Sequence, residues 1–307
     1  MSDTVCVLLS TYNGKKYLEE QLKSLVNQKN VKVDVLVRDD GSTDGTQNIL
    51  DEWQRLRGIK WYQGENCGPA HSFMKLIESS DIKYDYYAFC DQDDVWKEDK
   101  LFKAIKEIKK FKKEDECLYH SRTTLVDQHL NIITSPFRKP QIIHSLGASM
   151  VVTTATGCTM VWNKALMEKL KLYIPNYMVM HDNWVYVVCR SLDGNVIYDD
   201  NSYILYRQHE NNVLGNIEKQ HYSKMSFCRY QIVKFFDTSC KNSLIAQELL
   251  NGYETIMPEK NKKLVKLVAE VNDKIMNRMK VVFNKSLRVG YWPLDLQFCW
   301  KVLIGKS

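Results

Sequence analysis

Tyr86-Tyr87-Ala88-Phe89-Cys90-Asp91-Gln92-Asp93-Asp94 decides the fold. A run without a single charge passes directly into three carboxylates within four positions. An unbroken apolar run, as opposed to an alternating one, is the pattern of a strand covered on both faces. Carboxylates so close together repel one another unless a cation or solvent neutralises them. A hard divalent ion does this through oxygen ligands, and Mg²⁺ typically takes one or two carboxylates plus substrate phosphates. The competing reading of Asp91–Asp94 is an acidic turn capping a helix that begins near Lys97.

Upstream, residues 5–9 read as a buried strand that ends in the turn formers Ser10-Thr11-Tyr12-Asn13-Gly14. A helix follows, with Tyr17, Leu18, Leu22, Leu25 and Val26 at helical spacing. Residues 33–38 form a second strand ending at Asp39-Asp40-Gly41-Ser42. Thr43 or Asp44 is placed to cap the next helix, which carries Ile49, Leu50 and Trp53 on one face. A short strand near 60–62, a helix over 69–77 opened by Pro69, and a helix over 97–111 complete the pattern. Strands alternating with helices predict an α/β, Rossmann-like, doubly wound sheet. Ligands of such sheets bind outside the carboxyl ends of the strands, so the three polar clusters share one edge.

Downstream the spacing predicts strands near 118–126, 149–153, 157–162, 196–199 and 203–206. Helices are predicted over 163–170, 182–191, 219–250 and 258–283. The last of these places Leu264, Val268, Val271, Ile275, Met279 and Val282 on one stripe. The segment from Val289 to Ile304 is rich in Trp, Leu and Phe.

Each cluster permits a chemistry and also a plain structural role. Asp39, nearest its strand end, can accept from a nucleobase N–H or ribose hydroxyls, whereas Ser42–Thr46 reads as an ordinary turn. In Met180-His181-Asp182-Asn183-Trp184, Asp182 serves as a general base if it reaches an acceptor hydroxyl, or as a helix cap. In Tyr206-Arg207-Gln208-His209-Glu210-Asn211-Asn212-Val213-Leu214-Gly215, a loop follows that can close over a diphosphate. Arg207 or His209 would contact its oxygens, or His209 would ligate a metal.

The 307 residues suffice for one large α/β domain or a core with a smaller appendage. The net charge of +6 is uneven: eleven Lys/Arg face four Asp/Glu between Glu259 and Ser307, leaving the remainder close to neutral. This argues for an anionic partner of the tail and against a nucleic-acid-binding core. Nine cysteines are scattered without a Cys-x-x-Cys pair, the pattern of free thiols in a reducing cytosol. No signal peptide and no apolar run of bilayer length is read.

Taken in order, Leu9-Ser10-Thr11-Tyr12-Asn13, Arg38 to Thr46, Cys90-Asp91-Gln92-Asp93-Asp94-Val95-Trp96, and His181-Asp182-Asn183-Trp184 followed by Tyr206-Arg207-Gln208-His209 resemble an inverting glycosyltransferase of family 2 over about residues 5–215. The extended Asp-Gln-Asp-Asp-Val-Trp with Tyr-Arg-Gln-His-x-Asn-Asn most resembles the rhamnosyltransferase-like branch that builds bacterial surface polysaccharide. The resemblance implies a GT-A fold: a doubly wound mixed sheet in a catalytic domain over 1–218, nucleotide-binding to about 115 and acceptor-binding beyond. A helical C-terminal extension would occupy 219–307. It implies that Thr11, Tyr12 and Asp39 border the nucleoside, with Asp91 near the ribose and Gln92 among the donor-binding residues. Asp93 would hold Mg²⁺ or Mn²⁺, His209 with Arg207 would complete the metal or diphosphate site, and Asp182 would be the base. Many relatives have Glu-Asp where this chain has His181-Asp182.

The donor implied is dTDP-rhamnose, with a UDP-hexose as alternative, and the acceptor a glycan or lipid-linked hydroxyl. A cytoplasmic enzyme is expected. Its basic, Trp-rich tail either docks peripherally on the inner face of an anionic plasma membrane or packs on the protein or a second copy. A nucleotidyltransferase or phosphohydrolase would be expected to carry a Gly-rich phosphate loop with Lys, which is not found. A non-catalytic nucleotide-sugar-binding protein would need no base.

Overall fold

The computed structural model describes residues 2–134, 143–152, 155–210 and 241–307. The loop Asn211–Gly215 and the first part of the helix expected over 219–250 lie outside these residues.

Eight strands form one sheet: β1 (Asp3–Thr11), β2 (Val31–Asp39), β3 (Lys60–Gln63), β4 (Tyr86–Cys90), β5 (Val95–Trp96), β6 (Cys117–Val126), β7 (Val161–Asn163) and β8 (Asn195–Arg207). Their order is β3-β2-β1-β4-β7-β6-β8-β5. The first four strands in that order are parallel; β7 runs antiparallel to both β4 and β6, and β5 antiparallel to β8. Strand order reverses between β1 and β4, which leaves a crevice at their carboxyl ends. Leu9 pairs with Cys90 and Thr11 with Asp39, so the chain leaves the sheet into all three polar clusters at one level.

Burial on both faces explains the apolar runs. Every residue of β4 is buried. Along β1, Val5, Val7 and Leu9 pack under α1 (Leu18–Val26), α2 (Thr46–Arg57) and α4 (Lys100–Ile108). Cys6 and Leu8 point the other way, under α3 (Gly68–Ser79), α6 (Lys164–Leu170) and α7 (His181–Ser191), with α5 (Leu146–Val151) beside them. The C-terminal helices α8 (Asn242–Tyr253), α9 (Glu259–Ala269), α10 (Ile275–Phe283) and α11 (Trp292–Leu303) extend that second core through Leu249, Tyr253, Val265, Val268, Phe298 and Val302. Among the described residues no helix is long and apolar enough to cross a membrane, and the described cysteines are free, most of them buried.

Several local expectations are corrected. The segment read as a strand over 149–153 is helical as far as Val151, with Val152 extended beyond it, because Ser145 Oγ accepts from Ala148 N and caps α5. The strands expected near 196–199 and 203–206 are one long β8. The start of the run over 157–162 is a 3-10 turn, Gly157–Thr159. The α2 N-cap is Gly45 in the left-handed region (φ 91°), not Thr43 or Asp44. The helix expected over 258–283 is two helices, α9 and α10, parted by turns at Glu270 and Asp273. The break carries Ile275 and Met279 out of the apolar stripe, leaving them 77% and 39% exposed while Val268 and Val271 stay buried.

Candidate active site

The acidic cluster is not a helix cap: the α4 N-cap is Asp99, and Asp94 lies wholly buried with Oδ1 accepting from Arg207 N at 3.0 Å. Asp93 points elsewhere. Its Oδ2 lies 2.8 Å from His209 Nε2, and the His209 ring stacks on Tyr17 at a centroid distance of 5.0 Å. Asp91 is partly exposed. Withdrawal from water, then the charges of Asp93 and Asp182, push its carboxyl up to about 7.

Asp182 sits in the first turn of α7, whose N-cap is Met180. Asp182 Oδ2 accepts from Gly157 N at 3.1 Å and Oδ1 from Asn183 N at 2.7 Å. Burial raises it to about 6 despite those bonds. The 3-10 turn joins the two halves of the site. Gly157 holds Asp182, while the Cys158 thiol beside it lies within 4.8 Å of ligand atoms of Asp91 and Asp94. His181, the next residue back, is buried with its ring against Phe73 (3.9 Å) and edge-on to Phe89 (4.7 Å). Burial pulls it down to about 3, so the imidazole is neutral.

The donor-side residues are held by one another. Gln92 Oε1 accepts from Thr11 Oγ1 (2.7 Å) and Tyr12 N (2.9 Å), and its Nε2 donates to Tyr12 O (3.2 Å). The Gln92 amide is thereby spent on fastening the end of β1 to the end of β4. Asp39 is fully buried and accepts from Ser42 N, Ser42 Oγ and Gln47 Nε2, which closes the loop before α2. Tyr12, by contrast, is exposed. Asp40 pairs with Arg38 in the interior and accepts from Cys67 N and Gly68 N, seating the start of α3.

Arg207 is also buried. Its Nε donates to Asp93 O (2.7 Å) and Nη1 to Gln128 O (2.6 Å); Nη2 pairs with Glu20, and the guanidinium lies over Tyr17. These bonds brace the loop that carries Asp93. The positioning roles of Tyr17, Glu20, Gly157 and Cys158 escape sequence reading. Only the isolated glycine ahead of a strand, at Gly157, offers a signal of close approach.

A divalent ion with bonds of about 2.0–2.1 Å at right angles places neighbouring ligand atoms about 2.9 Å apart. The Asp93 Oδ2 and His209 Nε2 pair fits that spacing. The Asp91, Asp94 and Cys158 group fits less well, because burial holds the Cys158 thiol well above its usual range and a thiol does not suit a hard ion.

The crossover sheet with a carboxylate edge is that of the GT-A fold. A family model described as "Glycosyl transferase family 2" matches residues 6–166, and the chain belongs to that family. It is 29% identical over 272 residues to the dTDP-rhamnosyl transferase RfbG of Shigella flexneri, covering 80% of this chain and 89% of that one. It is 34% identical over 117 residues to the putative teichuronic acid biosynthesis glycosyltransferase TuaG of Bacillus subtilis, covering 38% of this chain and 44% of that one. Among solved structures, TarS 1-349 of S. aureus in complex with UDP-GlcNAc superposes with a TM-score of 0.57 at 17% identity, covering 99% of this chain and 88% of that one. The mannosyltransferase PcManGT of Pyrobaculum calidifontis, in complex with GDP-Man and Mn²⁺, gives 0.51 at 15% identity, covering 100% and 88%.

Proposed function

We propose that this family 2 glycosyltransferase moves rhamnose from dTDP-rhamnose to a hydroxyl of a glycan or lipid-linked acceptor, with inversion, in the synthesis of bacterial surface polysaccharide. The convergence of Asp91, Asp93 and Asp182 at the carboxyl edge of β1 and β4 carries this reading. The similarity to the rhamnosyl transferase, which spans most of both chains, supports the donor.

Thr11, Tyr12 and Asp39 border the nucleoside, with Asp91 beside the ribose; Gln92 and Arg207 keep these loops in place. Asp93 and His209 would hold Mg²⁺ or Mn²⁺. When bound, that ion offsets the charge that grows on the leaving diphosphate. Asp182 is raised to about 6 by burial, so at neutral pH it is ionised yet more basic than an ordinary aspartate. It takes the proton of the acceptor hydroxyl as the oxygen attacks the anomeric carbon from the face opposite the leaving group. One displacement suffices and inverts that carbon, so no covalent sugar–enzyme bond is needed.

A panel of dTDP-rhamnose and UDP-hexoses with Mn²⁺, read by released nucleoside diphosphate and by thermal shift, tests this. Release from a UDP-hexose alone would replace the donor. Binding without release on any acceptor offered would favour a nucleotide-sugar-binding protein.

The C-terminal helices support peripheral attachment to an anionic bilayer: Phe283 and Trp292 are 73% and 72% exposed amid lysines and arginines. Loss of flotation with anionic liposomes in a Phe283→Ser, Trp292→Ser protein is expected. Unchanged flotation, with the variant shifting from dimer to monomer, would assign the surface to a second copy.

A further inference from the structure

The far end of α7 from Asp182 opens into a cavity of about 630 Å³. Asp182 and Arg190 stand eight residues apart on this helix, about 12 Å along its axis. The walls come from the loop into α5, the carboxyl end of α7, α9, and the turn between α10 and α11. Arg190, Lys260, Lys263, Lys285 and Arg288 line it, opposed by the one carboxylate of Asp193.

The neighbours of these cations are paired, and they are not. On α9, Lys262 pairs with Glu259 and Lys266 with Glu254. Among the described residues none of the five lining cations makes an ion pair. Two of them are short of partners in a stricter sense. Among the described residues, Arg190 Nε and Arg288 Nη1 are shielded from water and meet no acceptor, although Arg288 Nη2 donates to Val282 O. A buried donor left unpaired is costly, more so on a charged group. The Arg190 charge also reaches its surroundings: burial first, then Arg190, holds His144 below its usual range. The lining therefore carries unneutralised positive charge from five side chains against one carboxylate, with the two arginines partly seated in the wall.

We infer that this cavity binds a multiply charged, phosphate-bearing ligand at a site separate from the donor site. Its volume lies in the range of small-ligand sites, and planar guanidinium forks match phosphate oxygens better than any other side chain does. Asn261 braces the wall, its Nδ2 donating to the carbonyls of Arg190 and Ser191, so the cations stand on joined helices and not on a loose surface. The ligand is either a soluble phosphate compound or the headgroup of an anionic lipid.

The test titrates inorganic pyrophosphate, without divalent ions, into the wild-type chain, Lys263→Gln/Lys285→Gln, Arg288→Gln and Asp93→Asn, read by calorimetry. Lys263 and Lys285 are exposed, so the double variant should keep the wild-type melting temperature even where Arg288→Gln does not. Wild type and Asp93→Asn should bind alike, and the double variant about tenfold or more weaker, since each bond to a charged group contributes about that factor. A second arm floats the same proteins with phosphatidylglycerol and with phosphatidylcholine vesicles. Loss of phosphatidylglycerol flotation together with weakened pyrophosphate binding in the double variant assigns a lipid headgroup; weakened pyrophosphate binding with intact flotation assigns a soluble ligand. Lost flotation with unchanged pyrophosphate binding overturns the inference and leaves only a basic membrane-facing surface. A double variant equal to wild type in both arms overturns the inference, whatever becomes of the glycosyl-transfer reading.

Discussion

His209 Nε2 and Asp93 Oδ2 stand 2.8 Å apart although 116 residues of chain separate them. They come from the end of β8 and from the turn between β4 and β5, and the antiparallel pairing of β5 with β8 brings these together. Asp93→Asn is expected to lower sugar transfer by about a thousandfold. A bound ion supplies several kcal/mol of charge stabilisation, and each 1.36 kcal/mol is tenfold in rate. Chelation should cost the wild type as much and the variant little more. Full turnover by Asp93→Asn with Mn²⁺ would remove Asp93 from the ligand set.

The base role proposed for Asp182 ties activity to pH. A base raised to about 6 must lose its proton before it can work, so kcat should climb as pH rises through about 6 and level off above 7. Asp182→Asn should abolish transfer with donor binding intact. Its effect on stability has the opposite sense. The folded value exceeds the unfolded 3.8, so stability is fully present below 3.8 and is lost as pH rises through 6. At pH 7.5 the Asn variant should therefore be the more stable protein, by on the order of 3 kcal/mol at most. That advantage should vanish near pH 4. Parallel melting curves of the two proteins across this range measure it.

His181 acts in the other direction. Burial holds it near 3 against an ordinary 6.5, so the unfolded chain binds a proton that the folded one refuses. Stability from this group is present above 6.5 and falls as pH drops towards 3, by up to about 1.4 kcal/mol per unit. His181→Leu should flatten the acid limb of a melting-temperature profile; an unchanged limb would mean that other groups set it.

The sheet was legible because β1 and β4 are buried on both faces, and continuous apolar runs ending in polar clusters admit few other folds. The shared edge followed from the topology alone. What stayed hidden depends on contacts distant in sequence. The bond between Gln92 and Tyr12 spans 80 residues and the one between Arg207 and Asp93 O spans 114, so neither brace is visible along the sequence. The break between α9 and α10 was masked by a helical period that continues across Val271, because periodicity does not register the Glu270–Asp273 turn. The turn at Gly157 was read as strand for the same reason: its role is set by α7, which packs against it.

Gly157 tests that packing directly. A Cβ there would lie 2.5 Å from His181 Nε2 and 3.4 Å from Asp182 Cβ. Gly157→Ala must therefore push back the first turn of α7 or lose the bond from Gly157 N to Asp182. Overpacking of this kind costs about 1–3 kcal/mol. A lower melting temperature is expected together with a fall in kcat, while KM for the donor stays near wild type. An unshifted melting curve would show that the turn gives way freely.

Arg207→Lys separates a positioning role from a ligand role. Lysine keeps the charge but cannot serve Glu20, Gln128 O and Asp93 O together, since it lacks the planar fork. Half-buried carbonyls left without donors cost a part of the about 1–3 kcal/mol that a buried one does, so the melting temperature should drop. The Asp93 loop would lose its brace, and the loss of an outer partner of a metal ligand typically weakens metal affinity by about 10–100-fold. The expected signature is therefore a lower melting temperature and a higher Mn²⁺ requirement, with kcat recovering at saturating Mn²⁺. A guanidinium that gripped the diphosphate itself would behave differently. Its replacement would raise KM for the donor at every Mn²⁺ concentration and leave stability untouched, and that result would return Arg207 to the donor site.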